Sequence, residues 1–227
     1  MKRINLFLIF ILSIAFSTSS FAQEADILKN FISSIQDATL SFDYTYSIVQ
    51  DKVEFTGEGS LSSRGKGFKL NSDDFDVYCD GKSKWTIDIA AKEIVIEDVD
   101  STAAVNVLTD NPALILRSIN KNFIFKSSTN ESGRAYVNLL ADKKFEGVDS
   151  MVLIFDLDNS SLVGAKIILS GNSNLNAEDA NIASPEGDAI NIKISNLKIS
   201  RDFIPDFTFD HQGSLSKKFL VTDLRFN

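Results

Sequence analysis

Polar and apolar positions along the chain follow two periods. Between Glu24 and about Ala38, Ile27, Leu28, Phe31, Ile32 and Ile35 recur at helical spacing and predict one amphipathic helix. The period then changes to two. In Thr39–Val49, Leu40, Phe42, Tyr44, Tyr46 and Ile48 alternate with Thr39, Ser41, Asp43, Thr45 and Ser47, the strongest strand signal in the chain. Val53, Phe55 and Leu61 continue it, with Gly57 and Gly59 on the same face, where strand glycines predict a bend or a bulge. Further strands are predicted at Phe68–Leu70, Phe75–Cys79, Trp85–Ile89, Ile94–Val99, Phe123–Phe125, Ala135–Leu140, Ser150–Leu157, Leu162–Leu169 and Ala189–Ile199. Asp80-Gly81 and Asp158-Asn159 supply turns between neighbours. Asn111-Pro112, a cap followed by proline at the first helical position, opens a second short helix carrying Leu114, Ile115, Leu116 and Ile119. Ser101–Thr109 is compatible with further helix, and the polar stretch Asn172–Asp188 reads as a long loop.

The N-terminus has a different design. Lys2 and Arg3 precede an apolar run from Ile4 to Phe16, and Ser20-Phe21-Ala22 places small residues at the −3 and −1 positions of a cleavage site before Gln23. The run is shorter than the roughly 20 residues of a spanning helix. Residues 1–22 are therefore expected to be a secretory signal peptide and 23–227 a single domain. Removal of two basic residues takes the net charge from −8 to −10.

Composition removes several classes of chemistry. The 227 residues include one His, one Cys and eighteen Phe. The usual Cys/His zinc set is not available, and Cys79 alone makes no disulfide within the chain. Any imidazole base must be His211, in Asp210-His211-Gln212-Gly213, where a loop histidine on the surface is the simpler reading. The Asp/Glu/Asn content of residues 172–188 lacks EF-hand spacing, so no metal is expected. The acidic balance speaks against nucleic acid. A chain rich in aromatic surface and poor in reactive groups reads as a binder rather than an enzyme, with no cofactor. Short strands joined by regular turns imply an antiparallel sheet, and two short helices cannot cover about ten strands, so the sheet must curl or split into layers. A closed sandwich and a half-closed barrel with a ligand cavity both fit the aromatic excess.

Residues 78–96 carry a family resemblance. Asp80-Gly81-Lys82-Ser83-Lys84-Trp85 is similar to the Asp-Gly-Lys-x-x-Trp hairpin of the LolA family of periplasmic lipoprotein carriers. Upstream, Gly57-x-Gly59-x-Leu61, the basic turn Arg64-Gly65-Lys66 and Phe68-x-Leu70 resemble the family's Gly-x-Leu strand, Arg-Pro turn and aromatic strand. Asn111-Pro112 stands where the family has its second helix, and Asp206-Phe207-Thr208-Phe209 resembles its Phe-x-Phe strand. Gly65 replaces the family's proline, and Phe219–Phe226 suggests an extra strand at the C-terminus.

The resemblance implies a mainly β fold with a few α-helices, an incomplete, half-closed antiparallel β-barrel with a helical lid. It also implies a monomeric periplasmic carrier that shields lipoprotein acyl chains, taking cargo from an inner-membrane lipoprotein-releasing transporter to an outer-membrane acceptor. The alternative is a related half-barrel that binds or senses another lipid, a glycolipid or a pigment precursor. On this reading Phe42, Tyr44, Tyr46, Leu61, Phe68, Leu70, Phe75, Val77, Trp85 and Ile87 are expected to line the cavity. Phe31, Ile35, Leu114, Ile115 and Ile119 are expected to form the lid. Arg64 is either the lid-linked arginine of the resemblance or a solvated turn charge.

Overall fold

The computed structural model describes residues 26–50, 53–99, 112–142, 148–169, 189–210 and 218–225. The signal segment, Ser101–Thr109, Asn172–Asp188 and His211 lie outside these residues. Helix α1 covers residues 26–35. Six strands follow: β1 (Thr39–Gln50), β2 (Val53–Arg64), β3 (Gly67–Ser72), β4 (Phe75–Cys79), β5 (Ser83–Asp88) and β6 (Glu93–Asp98). After two short helices, α2 (Pro112–Arg117) and α3 (Ile119–Asn122), come β7 (Phe123–Glu131), β8 (Arg134–Ala141), β9 (Val148–Asp156), β10 (Ser161–Leu169), β11 (Ala189–Ser200) and β12 (Leu220–Asp223).

All twelve strands belong to one sheet, in the order β12-β6-β5-β4-β3-β2-β1-β11-β10-β9-β8-β7. Its hairpins pair in sequence order, as short strands with tight turns require. Two features break that order. β11 returns to lie antiparallel to β1, with Thr39 opposite Ser200 and Ile48 opposite Ile190. β12, the extra C-terminal strand, runs parallel to β6. Among the described residues the sheet ends in two edges and does not close on itself, which makes it a half-open barrel rather than the sandwich.

Curvature comes from bulges. The register shifts between Ser41 and Asp43 against β11, between Leu162 and Gly164 against β9, and between Phe125 and Ser127 against β8. At the first of these Asn196 adopts φ 53° and donates its side-chain amide to the Asp43 carboxylate at 2.7 Å. Asparagine tolerates that left-handed backbone better than most residues. Gly57 and Gly59 are not bulges, because β1 and β2 stay in register through them. Tyr46 lies opposite Gly57 and Tyr44 opposite Gly59. A Cβ at Gly57 would come within 2.7 Å of the Tyr46 ring, and one at Gly59 within 2.7 Å of the Tyr44 hydroxyl. The two glycines are seats for the two tyrosine rings.

The concave face holds the main core. Phe31 of α1 meets Phe155 of β9 edge-to-face at 5.5 Å, and Ile35, Leu40, Leu153 and Leu162 are buried around them. The outer face of β4–β6 carries a second, smaller core of Trp85, Ile87, Ile94 and Ile96. Tyr78, Phe209 and Phe219 cover it, with the Tyr78 and Phe209 rings 5.1 Å apart. Asp206-Phe207-Thr208-Phe209 is not a strand, contrary to the resemblance. Phe207 instead rests against Gly67, where a Cβ would lie 2.6 Å from its ring.

Candidate functional site

Register assembles the site. Phe42, Leu61, Leu70, Val77 and Thr86 stand directly opposite one another across β1 to β5 and form one row on the concave face. Tyr44, Tyr46 and Ile48 extend the wall along β1. Ile190, Ile192 and Ile194 of β11, Ala165, Ile167 and Leu169 of β10, and Met151 of β9 form the facing side. Ile115 and Leu116 of α2 also line it. The half-open cavity has a volume of about 710 Å³, with Phe75, 39% exposed, among its lining residues.

Seven of the ten residues expected in the wall are there: Phe42, Tyr44, Tyr46, Leu61, Leu70, Phe75 and Val77. Phe68 shares the face of Leu70 but is packed in the closed core. Trp85 and Ile87 lie on the opposite face, in the smaller outer core, so their expected place in the wall is corrected. Both faces of β5 are covered, so its apolar residues do not reveal which face is inner. Lys84 and Thr86 are the inward-facing residues there, and the Lys84 ammonium pairs with Glu97 at 3.0 Å. The β9–β11 wall was missed. Its alternation is visible in sequence, but its pairing with β1 depends on contacts far apart along the chain.

Among the expected lid residues, Ile115 borders the cavity, whereas Phe31, Ile35 and Ile119 are buried in the main core. The side chain of Leu114 is outside the described residues. Leu116, next to Ile115, also borders the cavity and was not singled out.

The arginine that ties helix to sheet is Arg117, at the end of α2. Its guanidinium donates to the Ile35 carbonyl, to the Ala38 carbonyl at 2.8 Å and to the Ser63 carbonyl at 3.0 Å. Ile35 is the last residue of α1 and Ala38 follows in the turn after it, where helix-end carbonyls lack intrahelical partners and a cation is favourable. Burial lowers the Arg117 pKa; Asp37 counters this and Arg64 adds to it. Its buried Nε has no hydrogen-bond partner among the described residues. Arg64 itself donates to the carbonyls of Arg201 and Phe203, each at 2.9 Å. It therefore holds the segment after β11 and makes no hydrogen bond to α2. Arg117 was not singled out in the sequence, although a basic residue in the last turn of a helix is the signal that could have found it.

The cavity lining is mostly aromatic and aliphatic. Tyr44 has its pKa pushed up to about 12, first by burial and then by Tyr46, so its hydroxyl stays neutral at ordinary pH. Cys79 is buried, and no group of three or more His, Cys, Asp or Glu side chains that could hold a metal occurs among the described residues. Among those residues no helix is long and apolar enough to cross a membrane.

No protein-family model matches the chain, and no curated protein sequence matches it. Solved structures similar to it include a DUF1329 family protein from Desulfovibrio piger, 14% identical, covering 85% of this chain and 98% of that one with a TM-score of 0.45. A LolA superfamily protein from Nitrosomonas europaea is 11% identical over 82% of this chain and 98% of that one, with a TM-score of 0.40. An outer membrane lipoprotein-sorting protein domain from Vibrio parahaemolyticus is 11% identical over 79% of this chain and 93% of that one, with a TM-score of 0.38.

Proposed function

We propose that this protein is a non-enzymatic periplasmic carrier that buries the acyl chains of a lipoprotein in the cavity of its half-open sheet. The observation that carries the reading is the cavity of about 710 Å³, walled by aromatic and aliphatic side chains and bordered by a short helix that one arginine ties down. Each buried methylene contributes about 0.8 kcal/mol, so an acyl anchor is held by area alone. Reversible release then requires that the cover be displaceable, and Ile115, Leu116 and Arg117 of α2 supply such a cover. A lipoprotein-releasing transporter of the inner membrane is the proposed donor and an outer-membrane protein the proposed acceptor.

The purified protein is expected to take up a fluorescent apolar dye, and a lipidated peptide is expected to displace it. Absence of dye uptake, together with absence of co-purified lipid, overturns the carrier reading. Mass spectrometry of the co-purified lipid distinguishes a lipoprotein anchor from a glycolipid or pigment precursor in the same cavity.

A further inference from the structure

The side chains that line the cavity are not evenly mixed. Among the described residues, β9, β10 and β11 contribute only apolar groups, Met151, Ile167 and Ile192 among them, and α2 adds Ile115 and Leu116. The polar side chains in the lining all come from β1 or β5: Tyr44, Tyr46, Lys84 and Thr86. Both tyrosine rings lean across β2, since Tyr46 lies over Gly57 and the Tyr44 hydroxyl reaches the place of a Cβ at Gly59. The cavity therefore has an apolar side, towards β9–β11, and a polar side, towards β5. Lys84 and Thr86 stand two residues apart on one face of β5, which sets their Cα atoms about 7 Å apart. Lys84 is opposite Glu97 of β6 and pairs with it at 3.0 Å, its side chain 22% exposed. Thr86 is opposite Val77 of β4 and Val95 of β6, so its hydroxyl has an apolar neighbour on each adjoining strand.

Pure hydrocarbon laid over these two side chains would strip water from an ammonium and a hydroxyl and return nothing, which is costly. An oxygen acceptor on the ligand replaces the lost water. The charge of that acceptor follows from Glu97. Because Lys84 is already neutralised, an anionic head would meet a carboxylate beside the ammonium and gain little. A carbonyl oxygen meets no such conflict. An ammonium carries three N–H donors and donates to it without giving up Glu97, and the Thr86 hydroxyl donates to a second oxygen. The spacing along β5 suits separate oxygens rather than a single one.

We propose that Lys84 and Thr86 form a polar subsite that takes the neutral ester or amide carbonyls by which acyl chains are joined to a glycerol or an amine, while the chains themselves run against the β9–β11 wall. The proposal rests on the reading of the cavity as a site for acyl chains. It adds an orientation, and a preference for acylated compounds over ether lipids and free fatty acids. Two probes that differ in the carbonyl test it: monooleoylglycerol and its ether analogue 1-O-oleylglycerol, each titrated against a bound apolar dye. The parent protein is expected to bind the ester at least about tenfold more tightly than the ether, the usual size of a hydrogen bond to a charged group. In Lys84→Met and in Thr86→Val the ester-to-ether ratio is expected to fall towards one, whatever the change in absolute affinity. Thr86→Val keeps the shape of the side chain and carries the test where Lys84→Met fails to fold. Free oleate at neutral pH is expected to bind no more tightly than the ester. Equal binding of ester and ether by the parent, an unchanged ratio in either folded variant, or tighter binding of oleate overturns the proposal and leaves the carrier reading standing. Absence of dye uptake by the parent overturns both.

Discussion

At Gly59 the absence of a side chain decides the shape of the wall. A Cβ there would sit 2.2 Å from the Asn71 carbonyl oxygen as well as 2.7 Å from the Tyr44 hydroxyl. Gly59→Ala must displace backbone, and is expected to cost about 1–3 kcal/mol of stability, read as a lower midpoint in denaturant. Tyr44 reports on the same spot. Its pKa, raised from 10.0 to about 12 by burial, means that the unfolded chain ionises first as pH rises. The stability due to this group is therefore complete below pH 10 and is lost as pH rises towards 12, and the tyrosinate absorbance of Tyr44 should appear only near the upper limit. Arg117→Met removes a charged donor from three carbonyls. The expected loss is about 2–3 kcal/mol, with faster exchange of bound dye in stopped-flow measurements. The tyrosine stripe was legible in sequence, since alternation names the face. The purpose of the glycines was not, because it depends on which residue stands opposite.

Elements divide by how many of their faces are covered. β1 alternates apolar and polar positions, so its sequence sets Phe42, Tyr44 and Tyr46 on one face, the one that borders the cavity. β5 has Trp85 and Ile87 beneath the C-terminal segment on one side and Lys84 and Thr86 at the cavity on the other, and there parity misled. The two faces predict different phenotypes. Trp85→Ala is expected to destabilise by about 3–5 kcal/mol through loss of packing, while leaving dye affinity unchanged in folded protein. Ile115→Asp places a carboxylate on the inner side of α2, and should weaken dye retention because an unpaired charge resists burial. Retention equal to that of the parent would remove α2 from the cover. Edge strands are managed too. β7 has a bulge between Phe125 and Ser127, with Lys126 at that point, and β12 covers what would otherwise be the β6 edge.

Across the whole molecule, local order was readable and long-range order was not. Hairpins β2 to β6 and β7 to β10 follow from turn chemistry and short spacing. The β1–β11 seam, which joins the two halves of the sheet, unites residues about 150 positions apart, and no turn between them announces it. The same is true of β12, whose parallel approach to β6 no turn announces. That seam also explains why half of the wall escaped the sequence reading.

Among the described residues the sheet begins at β12 and ends at β7 with no ladder between them. A closed barrel has a girth set by its strand number and stagger, and can widen only by breaking hydrogen bonds. An open sheet has no such hoop. Small changes of twist, shared over eleven interstrand seams, let its two margins move apart while every ladder stays intact. The hollow of about 710 Å³ is thus the volume at one curvature of the sheet, and a small change of twist would alter it.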